Sequence, residues 1–228
     1  MTLRFNMKSP SKRSQTLDKL RSAIQEMILD REWNQVSVQD IAQHANVSIG
    51  TFYNYFDSKD TALMDVRKVL SDVLFRDLDL LLTTHQEIDK RLTLLVKYFI
   101  SLTINKPKWA SYLYGGNSFC ERLEGGIRKA LKAILIEGVS KRVFRVNDID
   151  ITTEFIESGL FFIIRNRYLT KQSLDEDFMN EVANICLNSV GIQIENISEL
   201  SLMSCPVTPL TPLPISTLAI AYDDMEFV

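Results

Sequence analysis

Between Ser37 and Phe56 the chain places hydroxyl, amide and phenol side chains at short intervals, with no nucleophile–base pairing among them. Their chemistry is recognition by hydrogen bonding. If Phe52 and Phe56 turn inward on a short helix, Gly50, Thr51, Tyr53 and Asn54 face outward. Gly50 lets a backbone approach a partner closely. Thr51 offers a hydroxyl to base edges and a methyl to thymine, and Asn54 can pair with the edge of an adenine. Tyr53 can reach a phosphate oxygen, and Tyr55 can do the same from the rim or stay half in the core with its hydroxyl wet. Lys59 opens the next helix, where its charge and the helix amides both favour a phosphate.

These side chains need two short helices joined by a tight turn. Ser37 and Ser48 each stand where a helix begins, as N-caps. Asn46 falls where the turn needs a left-handed residue. Ile41, Ala42, Ala45, Val47, Phe52, Tyr55 and Phe56 can meet inside the elbow. The pattern is a helix-turn-helix, a motif that lays its second helix in the major groove of DNA.

Apolar periodicity extends the reading in both directions. Leu17, Leu20, Ile24, Met27 and Ile28 predict a first helix over Thr16–Arg31, and Ser58 caps a long helix running to about Leu82. Further helices follow over Glu87–Ile104, over the aromatic segment Trp109–Tyr114 after Pro107, and over Ser118–Lys141, Ile151–Leu169 and Leu174–Val190. Gly125 and Gly126 weaken the third of these by about 1 kcal/mol each. Pro206, Pro209, Pro212 and Pro214 forbid a helix across the end of the chain, which is read as a flexible tail.

The 228 residues are 46% hydrophobic and 24% charged, ordinary for a folded protein. The formal charge is -3, yet up to Gln25 Arg4, Lys8, Lys12, Arg13, Lys19 and Arg21 face only Asp18. A basic end on an acidic body fits a DNA-contacting module joined to a domain with another task. No apolar run reaches the roughly 18 residues of a membrane span, and no signal peptide is read at the start, so a cytoplasmic location is expected. Cys120, Cys186 and Cys205 lack metal spacing and read as reduced thiols. His44 and His85 read as surface residues. No cofactor is expected, and the absence of a phosphate loop, a Cys–His pairing or a nucleophile elbow argues against an enzyme.

Ser37 to Lys59, above all Val47-Ser48-Ile49-Gly50-Thr51-Phe52-Tyr53-Asn54-Tyr55-Phe56 followed by Ser58-Lys59, resembles the TetR/AcrR family of bacterial transcriptional regulators. The likeness extends more loosely over residues 14–74. One departure is Asn46, where the family usually has glycine. The resemblance implies an all-α chain: a three-helix helix-turn-helix DNA-binding domain, then a larger helical ligand-binding and dimerisation domain. The expected organisation is a basic mobile arm over 1–13, the DNA-binding domain over 14–74 with its recognition motif at 37–56, the second domain over 75–192 and the tail over 193–228. The resemblance also implies base or phosphate contacts for Gln39 and a phosphate contact for Ser48. The candidate DNA contacts are therefore Ser37, Gln39, Ser48, Ile49, Gly50, Thr51, Tyr53, Asn54, Tyr55 and Lys59.

Regulators of this kind resemble sensors of small molecules. The candidate ligand residues are Phe99, Trp109, Tyr112, Tyr114, Asn117, Phe119, Phe162 and Arg165. Each aromatic taken singly reads as core; together they suit an apolar pocket with a few polar handles. Arg165 and Arg167 can hold an anion or simply end a helix favourably. The expected function is a homodimeric repressor released from a palindromic double-stranded operator by a small-molecule effector. The alternative is a DNA-bound protein that works through a protein partner. The dimer is expected from the helices Ile151–Leu169 and Leu174–Val190, with Phe161, Ile164, Phe178, Val182, Ile185 and Val190 in the paired faces.

Overall fold

A computed structural model describes residues 10–30, 33–115, 126–216 and 218, and among these it is all-helical, without a strand. The helices are α1 (Lys12–Asp30), α2 (Val38–His44), α3 (Ile49–Tyr53), α4 (Lys59–Leu82), α5 (Ile88–Asn105), α6 (Pro107–Tyr114), α7 (Gly126–Ser140), α8 (Ile149–Thr170), α9 (Glu176–Ser189) and α10 (Ile194–Ser201). The chain divides into two compact units, Met1–Val69 with Leu213–Val228, and Leu70–Pro212. The boundary expected near residue 74 thus falls inside α4, a helix whose apolar period runs on without a break and so marks no domain edge.

In the N-terminal unit, α1 buries Leu20, Ala23, Ile24, Gln25 and Met27. Arg21 on α1 grips Asp65 on α4 with two hydrogen bonds, Nε to Oδ2 at 2.6 Å and the terminal nitrogen to Oδ1 at 2.8 Å. A fork of this kind fixes orientation as well as distance. The elbow forms from Ile41, Ala42, Ala45, Phe52 and Phe56, all buried, while Val47 and Tyr55 are half-buried.

The second unit is organised around α5, which packs against α6, α7, α8, α9 and α10. It is buried on nearly every side, as a central helix must be. The start of α7 lies close to Phe75: a Cβ on Gly126 would sit 2.2 Å from the ring. The glycine that weakens the helix locally is what admits the ring. The expected start of that helix at Ser118, together with Gly125 and Cys120, lies outside the described residues, as do residues 1–9 of the expected arm.

The end of the chain differs from the flexible tail expected over 193–228. Residues 194–201 form α10, which buries Ile197 and Leu200, and Leu210, Leu213 and Ile215 are each 3% exposed or less. No residue from 203 to 216 is helical, as the prolines require, but an extended segment can still bury its apolar side chains. Thr217 and residues 219–228 lie outside the described residues.

Candidate nucleic-acid interface

The recognition elbow is built by three local devices. Ser37 caps α2: its hydroxyl accepts the Asp40 N–H at 3.1 Å, and the Ser37 N–H donates to Asp40 Oδ2 at 2.9 Å. Ser37 also donates its hydroxyl proton to the Asp40 carboxylate at 2.6 Å, so this side chain is committed to the cap. Asn46 takes the left-handed conformation the turn requires, with φ 54°. Ser48 caps α3 by accepting the Thr51 N–H at 3.0 Å, and its hydroxyl lies 2.8 Å from that of Thr51.

The helix these devices start is shorter than expected. α3 stops at Tyr53 with Asn54 as its C-cap. The Asn54 and Tyr55 amides reach back three residues, to Thr51 and Phe52, tightening the last turn. Phe56 still returns to the core, with its ring centroid 5.6 Å from that of Phe52.

Burial sorts the candidates. Phe52 is 0% exposed, whereas Ile49 and Tyr53 are 45% and 54% exposed; Gln39, Gly50 and Asn54 are exposed as well. Ile49, Gly50, Tyr53 and Asn54 make one face, positions one turn apart with their immediate neighbours. A Cβ on Gly50 would meet nothing closer than Ser48 Oγ at 3.8 Å. The fold itself therefore does not require glycine there. Thr51 and Tyr55 are half-buried. Tyr55 donates its hydroxyl to the Arg13 carbonyl at 3.2 Å, which combines the rim and half-core readings and ties α1 to the end of α3.

Lys59 departs from the expectation. Its ammonium donates to the carbonyls of Trp33 and Val36 at 3.0 and 2.8 Å and lies 5.3 Å from the centre of the Trp33 ring. Two of its three protons thus fasten the loop between α1 and α2, leaving one for a phosphate. The Trp33 carbonyl also accepts the Val36 N–H at 3.1 Å within the 3-10 turn Trp33–Gln35, so the ammonium is a second donor to it. His44 is held by Glu26, its Nε2 at 2.5 Å from the carboxylate. No group of three or more His, Cys, Asp or Glu suited to a metal occurs among the described residues.

In the second unit Phe99, Trp109, Tyr112 and Tyr114 are all buried. They pack ring on ring: Phe99 on Phe161 at 5.1 Å, Trp109 on Tyr112 at 6.0 Å, and Tyr114 on Phe161 at 6.3 Å and on Tyr168 at 6.1 Å. Burial pushes the Tyr114 phenol above its ordinary range. Tyr98, which the sequence reading passed over, lies edge-on to Phe99 and donates its hydroxyl to Asp77 Oδ2 at 2.8 Å. One candidate does not fit this cluster as expected. Phe162 is 72% exposed, and Phe161 occupies the inward position instead. Asn117 and Phe119 lie outside the described residues. Arg165 is half-buried on α8. A cavity of about 10 Å³, room for one water, lies beside α5 between Tyr98, Ser101, Asn105 and Lys106 and the segment Pro206–Thr208.

The dimer candidates also divide. Phe161 and Ile164 are 3% and 0% exposed, so they belong to the core of their own subunit, as do Val182 and Val190. Phe178 is half-buried under the Arg167 guanidinium, 4.0 Å from its ring centre. The outward apolar face of α8 is instead Ile151, Phe155, Phe162 and Leu169, each 48–72% exposed, with Ile185 on α9 at 50%. Their spacing of four and seven residues is one helix face.

This geometry defines an all-helical helix-turn-helix protein with a larger helical second unit. Residues 20–63 match the sequence profile described as bacterial regulatory proteins, tetR family. That match covers the second half of α1, the helix-turn-helix and the start of α4. It is 33% identical over 107 residues to an uncharacterized HTH-type transcriptional regulator, YwcC, of Bacillus subtilis (strain 168), a match covering 43% of this chain and 47% of that protein. The match thus spans about half the length of that curated relative. The fold is like that of RolR in complex with resorcinol, with TM-score 0.68 at 20% identity over 88% of this chain and 98% of that one. It is also like that of the transcriptional regulator FadR from Bacillus subtilis in complex with stearoyl-CoA, with TM-score 0.62 at 19% identity over 76% and 97% of the two chains. No helix among the described residues is long and apolar enough to cross a membrane.

Proposed function

We propose that this protein is a DNA-binding transcriptional repressor that acts as a homodimer and leaves a palindromic operator when a small molecule binds its second unit. The observation that carries the reading is the outward face of α3. It exposes Gly50, Tyr53 and Asn54 while Phe52 and Phe56 anchor the helix from behind. A helix so held presents a donor–acceptor amide and a phenol to a groove without loosening its own packing. Gln39 at the start of α2 and the remaining proton of Lys59 are suited to flanking phosphates.

Dimerisation is supported by the apolar face of α8. Phe155 and Phe162 flank Gly159, where a Cβ would meet nothing within 4 Å, so a second helix can come close there. Two copies related by a twofold axis would cover both faces and present two α3 helices to two half-sites.

The effector is a molecule with an apolar part that separates the rings around Phe99, Trp109, Tyr114 and Phe161. RolR and FadR, which share the fold, carry resorcinol and stearoyl-CoA in their structures. α4 is the element through which the change would pass, because it belongs to both units.

Selection of bound sequences from a random DNA pool tests the reading. The expected result is an inverted repeat bound by the wild type and lost when Asn54 and Tyr53 are both replaced by Ala. Enrichment of no sequence would overturn it. A thermal-shift screen of small phenols and acyl thioesters tests the effector, since a specific ligand raises the melting temperature and, in this scheme, lowers operator affinity.

A further inference from the structure

Gln25 sits on the buried face of α1 and is 1% exposed. A primary amide so placed needs partners. They come from 190 positions along the chain: Gln25 Nε2 donates to the Ile215 carbonyl at 2.9 Å, and the Ile215 N–H donates to Gln25 Oε1 at 2.6 Å. The side chain thus exchanges both bonds with one residue's backbone, as two facing strand residues do. Two helical turns earlier on α1, Asp18 accepts the Ser216 hydroxyl at 2.9 Å and the Leu218 N–H at 3.3 Å. The tail therefore runs antiparallel to α1, with Leu213 and Ile215 buried.

Upstream, the same segment is fastened within the second unit. Lys97 donates to the Met203 carbonyl at 2.6 Å, Lys106 to that of Leu210 at 3.1 Å, and Trp109 Nε1 to that of Thr211 at 2.9 Å. The chain passes from one unit to the other twice, inside α4 and again between Pro212 and Leu213. The second crossing lies among Pro209, Pro212 and Pro214, and prolines stiffen an extended segment.

We propose that residues 203–216 are a regulatory strap: a stiff second link, besides α4, through which the side of α5 and α6 controls how firmly α1 is held, and with it DNA affinity. The effect on DNA rests on the function proposed above; the fastening of α1 does not. The strap uses backbone atoms for most of its bonds, which is why composition alone presents it as a loose tail.

Hydrogen exchange on the full-length wild type without DNA tests the fastening. The Ile215 amide is expected to exchange about a hundredfold more slowly than in a free peptide. Exchange at the free-peptide rate would overturn the proposal. Gln25→Leu, which keeps the bulk and removes the amide, is expected to abolish that protection and to lower the melting temperature of the N-terminal unit by about 5 °C or more. Should that variant fail to fold by circular dichroism, Ser216→Ala replaces it, with a smaller drop in the protection of the same segment. Lys106→Met changes only the upstream anchor. It is expected to reduce protection of Ile215 and of α1 and to weaken binding to the selected DNA severalfold; unchanged protection and affinity would refute transmission along the strap. If the wild type selects no DNA, the functional reading fails, and the exchange data still decide whether α1 is strapped.

Discussion

Phe161 and Phe162 are adjacent on α8 and opposite in environment: the first is 3% exposed among Phe99 and Tyr114, the second 72% exposed on the outer face. One step along a helix turns a side chain by about 100 degrees, so neighbours can serve two different surfaces. Phe162→Asp is expected to give folded monomers with weak operator binding. Phe161→Asp is expected to unfold the second unit, because a carboxylate there is buried without a partner. Sedimentation with circular dichroism separates the two. A folded monomeric wild type at micromolar concentration would remove the dimer from the scheme.

Asn54 and Gly50 give a paired test of the reading face. Asn54→Ala is expected to cost about 1–3 kcal/mol on the preferred site and to relax choice at one base position. Gly50→Ala has room within the fold, so its melting temperature should stay level or rise slightly. Any loss of DNA affinity in that variant then reports a close approach from outside. Equal affinity of Gly50→Ala and wild type on the selected site would show that the backbone at Gly50 does not meet DNA.

Lys59 joins a structural duty to any phosphate contact. Removing its ammonium takes one donor from each of the Trp33 and Val36 carbonyls, of which Trp33 keeps the Val36 N–H. Lys59→Met is expected to lower stability by about 1–3 kcal/mol in urea unfolding. It should also weaken binding about equally on good and poor DNA sites and reduce the salt slope by roughly one unit. A full loss of DNA binding with unchanged stability would mean that the ammonium's internal bonds contribute nothing.

Lys97 provides a pH-dependent test within the second unit. It is 1% exposed, donates to Asn180 Oδ1 and the Met203 carbonyl, and burial holds its pKa below the ordinary lysine value. The unfolded chain binds this proton more strongly than the folded one does. The stability contribution is therefore full above the ordinary lysine pKa and lost as pH falls through the lowered one. The stability of the wild type relative to Lys97→Met is expected to grow as pH rises toward the ordinary lysine value in parallel urea titrations. A difference that shrinks over that range would contradict the assignment.

Burial pushes Cys186 up to about 12 and Cys205 up to about 11, so neither is thiolate at neutral pH.

What the sequence determined by itself was local. Helix periods, the caps at Ser37 and Ser48, the left-handed Asn46 and the inward pair Phe52 and Phe56 all act within a few residues, and such signals survive in a linear string. The helix-turn-helix and the exposed α3 face were legible for that reason. Tertiary structure decided the rest. Which of Phe161 and Phe162 faces the core depends on the rotation of a helix that is apolar on more than one side. Lys59 turns inward to carbonyls 26 and 23 positions away, contacts that no local pattern around it announces. Ile215 and Leu218 are held because Gln25 and Asp18 offer bonds to the backbone, and a backbone partner leaves no mark in side-chain composition.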